Sequence, residues 1–329
     1  MDVILYLAIV VSMLATLITA RKWIRKAPVI GIMGWDMNKP GLPKVAEMGG
    51  ICVVFGFVIG MLAYIGIQTF CFGSSNYISM LAVLCTVLMT CIIGMMDDIL
   101  GWKVGLKQWQ KPLFTLFAAM PIMVINAGQS TMVLPLMDKI DWGIFYPLLI
   151  VPIGIVGASN VYNMVAGFNG LETGMGIIIL SVLSYVALVT GESTALALSV
   201  CMLGALVVFF YFNWYPAKVF PGDTMTYSVG ALIACVAIVG NMEKIAVILF
   251  VPYAIDFFLQ LRSGFKSEAF VGGNEDGSLQ KPVKGIYHLT HLAIAVLTRV
   301  KPKVYEKDVV VFLFGVEIAI SGYVILEYL

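Results

Sequence analysis

Two adjacent carboxylates, Asp97 and Asp98, close a long apolar run at Gly94-Met95-Met96-Asp97-Asp98 and are followed by Lys103, Lys107 and Lys111. In so apolar a chain, acids at the edge of such a run are costly to place, so the pair reads as a site rather than as scaffold. An ordinary solvated helix end explains one carboxylate there, but not two facing a lysine-bearing stretch. Adjacent carboxylates suit a divalent cation bound through oxygen, or a base that takes a phosphate proton while its neighbour orients it.

Three further stretches carry polar chemistry. Asn160 to Glu172 holds three asparagines and Asn169-Gly170 at the end of another apolar run. A helix cap accounts for Asn169-Gly170 but not for Asn163, whose amide oxygen would complete a Mg²⁺ site. Asn213 to Thr224 ends in Pro221-Gly222-Asp223-Thr224, a turn leading into a helix; capping by Asp223 or Thr224 and metal binding are compatible roles. Gly34-Trp35-Asp36-Met37-Asn38-Lys39-Pro40, with Glu47 after it, is by composition only a polar loop.

The elements that must position these groups are transmembrane helices. The chain has 329 residues, 60% hydrophobic and only 12% charged, and apolar runs long enough to cross a bilayer recur almost end to end. The expected fold is an all-α polytopic membrane protein of about ten spans: 3–20, 49–70, 77–96, 112–127, 142–160, 173–190, 195–212, 225–240, 245–262 and 309–328. With the amino terminus outside, the connections 21–48, 97–111, 161–172, 213–224 and 263–308 share one face. They and the adjoining helix ends carry 18 of the 20 Lys and Arg residues, leaving Lys139 and Lys244 on the other. The positive-inside rule then places both termini outside and every polar cluster in the cytoplasm. The first run lacks a preceding positive charge and is followed by Arg21, Lys22, Arg25 and Lys26, so it reads as a retained span rather than a signal peptide. Six scattered cysteines, with no CxxC, read as buried reduced thiols. Without repeat, linker or low-complexity segment, the chain reads as one integral-membrane domain, 1–329.

Within the last connection, Gly272 to Gly277 suits a tight turn, and Ile286 to Val300 is apolar but too short to span, so an interfacial helix is expected there. Acid and amide clusters on one face, with lysines among them, match a Mg²⁺-dependent reaction on a phosphate ester. No Walker A or kinase motif is present. The alternative is a cation or solute transporter. Against it, coupled-ion sites lie near the midplane, whereas these acids sit at the cytoplasmic ends of spans and in loops; Asp256 and Glu317 are the only clear acids within spans.

DDILGWKVGLKQWQKP (97–112), NMVAGFNGLE (163–172) and NWYPAKVFPGDT (213–224), in this order and topology, resemble the polyprenyl-phosphate N-acetylhexosamine-1-phosphate transferases. Asp36-Met37-Asn38-Lys39 and the last of these motifs resemble the dolichyl-phosphate and archaeal branch. The resemblance implies transfer of N-acetylhexosamine-1-phosphate, GlcNAc-1-phosphate first, from a UDP-sugar to a polyprenyl or dolichyl phosphate in the inner leaflet, with release of UMP. It implies Mg²⁺, or Mn²⁺ in its place, held by Asn163 and Asp223. Lys107 would neutralise phosphate charge, and Asp97 with Asp98 would position or deprotonate the lipid phosphate. Asn169, Phe220 and the backbone near Met37 would hold the uridine, with Asp36 and Glu47 in support. A homodimer is implied, and no nucleic acid.

The Arg/His cluster of many relatives is replaced here by Lys266-Ser267-Glu268-Ala269-Phe270-Val271-Gly272-Gly273, which leaves Lys266 and Glu268 as the sugar contacts. His288 and His291 come later, one helical turn apart, and read first as polarity of the interfacial helix. The expected location is a prokaryotic, archaeal cell membrane with a cytoplasmic site, ahead of the endoplasmic reticulum.

Overall fold

The computed structural model describes residues 3–101, 105–133, 139–282 and 285–328, and is almost entirely helical. The long helices are α1 (Val3–Ile30), α2 (Gly50–Phe72), α3 (Ile78–Leu100), α6 (Val151–Met164, entered through a π-helical turn Tyr146–Ile150), α7 (Leu171–Thr190), α8 (Ser193–Asn213), α9 (Gly222–Val239) and α13 (Glu306–Glu327). Among the described residues these eight are long and apolar enough to cross a bilayer. A ninth span is supplied if α10 (Glu243–Leu249) and α11 (Val251–Arg262), which meet at a 56° bend, act together. The remaining expected span, 112–127, is two short pieces, α4 (Gln110–Ala118) and α5 (Met120–Val124). Pro121 lacks the amide N–H that would continue the ladder. At 1.5 Å per residue such a piece falls short of a hydrocarbon layer about 30 Å thick.

α9 is the axis of the bundle: 83% of its span is buried, and it packs on α3, α6, α2 and α8. Such burial requires small residues at the crossings. A Cβ on Gly94 of α3 would lie 2.4 Å from the Asp223 carbonyl, so the glycine of the Gly94–Asp98 stretch lets α3 reach the backbone at the start of α9. α1 crosses α2 in the same way, Ser12 and Thr16 lying against Gly56 and Gly60.

Short strands link the helix ends. The Gly34–Pro40 stretch, expected as a loop, belongs to a hairpin of β1 (Met33–Trp35) and β2 (Lys44–Ala46), with Trp35 opposite Lys44. Its second strand is stitched to the segment before α9: the Phe220 N–H donates to Ala46 O (2.7 Å), and Gly49 and Gly50 donate to Phe220 O and Pro221 O (2.9 and 2.8 Å). A second small ladder pairs β3 (Thr131–Met132) with β4 (Ile140–Asp141).

The turn expected at 272–277 closes between Gly273 and Leu279. The helix expected at 286–300 is α12 (Leu289–Leu297). Its first N–H is capped by Asp256 Oδ1 at 2.5 Å, which gives that buried acid a structural task. Glu317, the other acid within a span, is fully buried, and neither carboxylate oxygen has a hydrogen-bond partner among the described residues.

Candidate active site

The carboxyl end of α3, the amino ends of α4 and α9 and the carboxyl end of α6 meet at one place. Lys111, in the first turn of α4, sets its ammonium 2.7 Å from Asp97 Oδ2 and 3.0 Å from Asp223 Oδ2. Asn163 Nδ2 donates to the same Asp223 oxygen at 3.3 Å, while Asn163 Oδ1 accepts from the Thr226 hydroxyl at 2.7 Å. Asp97 Oδ1 accepts the Leu106 N–H. Two carboxylates from different helices therefore aim an oxygen at a single positive centre.

Asp98 turns the other way. Its Oδ1 accepts the Asp223 N–H at 2.8 Å, and its Oδ2 accepts the Thr224 N–H at 3.0 Å and the Thr224 hydroxyl at 2.5 Å. The acid at the end of α3 thus caps the start of α9, satisfying two of the amides that every helix leaves open there. Gly222, at φ +69°, makes this possible, because a Cβ would lie 2.5 Å from Asp98 Oδ2. Asp223 and Thr224 do not cap their own helix; Asp98 does so from outside, which leaves the Asp223 side chain for Lys111 and Asn163.

The second cluster surrounds Asn169. Its backbone N–H and Nδ2 donate to Glu306 Oε1 (2.7 and 2.9 Å), Nδ2 also donates to Asp36 Oδ2 (3.1 Å), and Oδ1 accepts the Ala217 N–H (2.7 Å). Lys39 pairs with Asp36 and with Glu306 Oε2 (2.9 Å), and its ammonium stands 4.4 Å from the centre of the Tyr215 ring. Asp36, Asn169 and Glu306 are all buried, so the hairpin, the loop before α7, the segment before α9 and the start of α13 share one charged network. Asn38 extends it, donating to Gly167 O (3.2 Å) and accepting from Val271 N–H (3.2 Å).

Glu47 lies between the two clusters, its carboxyl against Gly34. Burial, then the Asp98 charge, raise it to about 7. Met37 and Phe220 are half-buried at the hairpin tip and beside β2. Lys266 and Glu268 are exposed on the strand of chain after α11, which meets the loop before α7 where Ala269 and Phe270 approach Gly167. His288 and His291 do not reach the polar clusters. Both are buried, with ring centres 5.2 Å apart and His288 Nδ1 3.7 Å from Asp256 Oδ1, and burial holds His288 near 4, so it is neutral at pH 7.

The structure thus gathers Asp97, Asp98, Asn163 and Asp223 at one point, and Asp36 and Asn169 at another. Lys107 is exposed, its backbone N–H bonded to Gln110 Oε1 at 2.8 Å; Lys111 occupies the place between the acids. Lys103 lies outside the described residues. Sequence reasoning passed over Lys111 as a site residue, although its signal was present: it opens a helix, whereas Lys107 precedes it. It also missed Glu306, whose only signal is an acid in the first turn of the last span.

Among the described residues no group of three His, Cys, Asp or Glu side chains could hold a metal. A mixed set of two acids and one amide fits a hard divalent cation, because Asp97 and Asp223 already converge on one cation, the Lys111 ammonium. Asn163 would turn its amide oxygen towards that point.

Residues 80–241, from α3 to the end of α9, match the glycosyl transferase family 4. A Saccharolobus solfataricus protein provisionally named a UDP-N-acetylglucosamine–dolichyl-phosphate N-acetylglucosaminephosphotransferase is 35% identical over 318 residues, covering 94% of this chain and 92% of its own. The chain belongs to this family. The Dictyostelium discoideum UDP-N-acetylglucosamine–dolichyl-phosphate N-acetylglucosaminephosphotransferase is 28% identical over 69% of this chain and 64% of its own. A Streptococcus thermophilus phospho-N-acetylmuramoyl-pentapeptide-transferase is 31% identical over 67% and 65%. The shared region contains Asp97, Lys111, Asn163 and Asp223.

Proposed function

We propose that this protein transfers N-acetylhexosamine-1-phosphate, GlcNAc-1-phosphate in the first instance, from a UDP-sugar to a polyprenyl or dolichyl phosphate. The observation that carries the reading is the convergence of Asp97, Lys111, Asn163 and Asp223 from separate helix ends in a chain of this family. Phosphoryl transfer asks a protein mainly for positioning and charge neutralisation, and this constellation offers both. Family membership and the helix-end position of the acids favour a transferase over a transporter.

An oxygen of the lipid phosphate attacks the β-phosphorus of the UDP-sugar. The bond from that phosphorus to the bridging oxygen breaks, and UMP departs with the electron pair. Lys111 orients Asp97 and Asp223, and the exposed Lys107 meets the incoming diphosphate. Asp98 fixes the start of α9 and so the aim of Asp223. The second cluster, through Asn169 and Asp36 with Phe220, Met37 and Glu47 at its edge, receives the uridine; Lys266 and Glu268 border the sugar. Mg²⁺ held by Asp223, Asn163 and Asp97 would spread the charge of the diphosphate.

The lipid is given a path by an apolar groove of about 600 Å³ between α6, α9 and the bent α10–α11 pair, lined by Gly154, Gly157, Val161, Ala234, Ala254 and Phe258. The site would face the cytoplasm of an archaeal cell. UMP release from UDP-GlcNAc by the purified protein, with and without polyprenyl phosphate and Mg²⁺, tests the reading. Release should need all three and vanish in Asp223→Asn. Retention of more than a few per cent by that variant would refute the metal role, and no release with any UDP-N-acetylhexosamine would refute the reaction.

A further inference from the structure

A second groove, of about 380 Å³, runs between the end of α1 and the start of α2, and none of its lining residues belongs to either polar cluster. Trp23, Ile51, Cys52 and Phe55 form its walls, and Lys22 and Lys26, one helical turn apart and both exposed, form its rim. The remaining lining group, Thr19, spends its hydroxyl on Ala15 O at 2.7 Å. The floor is therefore apolar and the rim cationic. Neither lysine has an ion-pair partner among the described residues, and no acid lies between Val3 and Val29 to supply one.

Depth in the bundle defines the occupant. The apolar run of α1 ends at Ala20, so Lys22 and Lys26 follow within two turns, where a spanning helix meets the phosphate layer. Phe55, 48% exposed, opens the slot to the lipid-facing side of α2. A hydrocarbon chain suits the slot and a phosphate suits the rim. We propose that this groove is a binding site for one anionic bilayer lipid with a phosphodiester headgroup.

The site bears on the enzyme through Trp23. Its indole N–H donates to the Glu47 carbonyl at 2.7 Å, three residues before α2 begins, so a lipid seated against Trp23 buttresses the edge of the polar site. This inference does not depend on which sugar or acceptor the enzyme uses.

Native mass spectrometry of the full chain, incubated with equal phosphatidylglycerol and phosphatidylcholine, tests it. One phosphatidylglycerol should be retained in preference. Loss of one lysine should weaken retention about fivefold, and Lys22→Gln/Lys26→Gln roughly 25-fold. Arg21→Gln/Arg25→Gln removes the same charge outside the groove and should retain the lipid. Phe55→Trp, which narrows the slot and keeps the lysines, should reduce retention with both basic pairs intact. Equal loss in the two double variants, no preference in the parent, or unchanged retention in Phe55→Trp would overturn the proposal. Displacement of phosphatidylglycerol by a short polyprenyl phosphate, with a raised acceptor KM in Lys22→Gln/Lys26→Gln, would overturn it in favour of a substrate-entry groove.

Discussion

Lys111→Met should leave a protein that folds less stably and that leans on divalent cation to recover. The ammonium lies 2.7 Å from Asp97 and 3.0 Å from Asp223, with 22%, 13% and 23% of the three side chains exposed. Removing one partner from a buried charge pair costs about 3–5 kcal/mol, and this partial exposure selects the lower end, about 3 kcal/mol. At about 2.1 cal/mol/K of unfolding entropy per residue, a chain of 329 residues loses roughly 1.5 °C per kcal/mol, so the midpoint of thermal unfolding in detergent should fall by about 4 °C. A divalent cation at about a hundred times its dissociation constant returns about 2.7 kcal/mol, nearly the whole loss. In the parent the Lys111 ammonium already sits on these oxygens and competes with the ion, so Mg²⁺ should raise the midpoint of Lys111→Met more than that of the parent. In Lys111→Met/Asp223→Asn the cost should shrink, because one of the two stranded acids is gone. A variant as stable as the parent without Mg²⁺, or one that Mg²⁺ stabilises no more than the parent, would refute the view that these oxygens define a cation position.

Three other outcomes follow from contacts around the site. Asp98→Ala strands the amides of Asp223 and Thr224 and should cost about 1–2 kcal/mol, with Asp98→Asn, which keeps one acceptor, losing less and retaining measurable UMP release; equal stability with complete inactivity in both would instead make Asp98 the base. Glu47 holds its proton up to about 7 in the folded state but releases it near its ordinary 4.5 when unfolded, so its contribution is whole below 4.5 and is lost as pH rises to 7. That loss amounts to about 3 kcal/mol at most, and unfolding midpoints of Glu47→Gln from pH 4.5 to 7.5 should fall less steeply than those of the parent. Glu317→Gln removes no hydrogen bond present in the structure and should leave turnover within about twofold, whereas a transport path through the membrane would be sensitive to it.

The expected span at 112–127 shows the limit of reading hydropathy. The run is apolar enough, but Pro121 and the break at Ala119 make two short helices, and only packing decides whether such a piece crosses the bundle. The hairpin at 33–46 was illegible for a related reason: its three-residue strands are held by Phe220, far along the chain, rather than by their own alternation. α12 and the turn at 272–277 were legible because a short apolar run and a glycine-rich turn are local signals.

By itself the sequence determined that the chain is a bundle of membrane-spanning helices and that its acids, amides and lysines concentrate at one set of helix ends. Those properties depend on composition and order alone. Only the tertiary structure decided which groups meet. It put Lys111 rather than Lys107 between Asp97 and Asp223, turned Asp98 into the cap of α9, and brought Glu306 from the last helix onto Asn169. Motif spacing cannot supply such assignments. Asp97 and Asp98 are neighbours in the chain, yet successive residues on a helix point about 100° apart, so one faces the cation position and the other the backbone of a different helix.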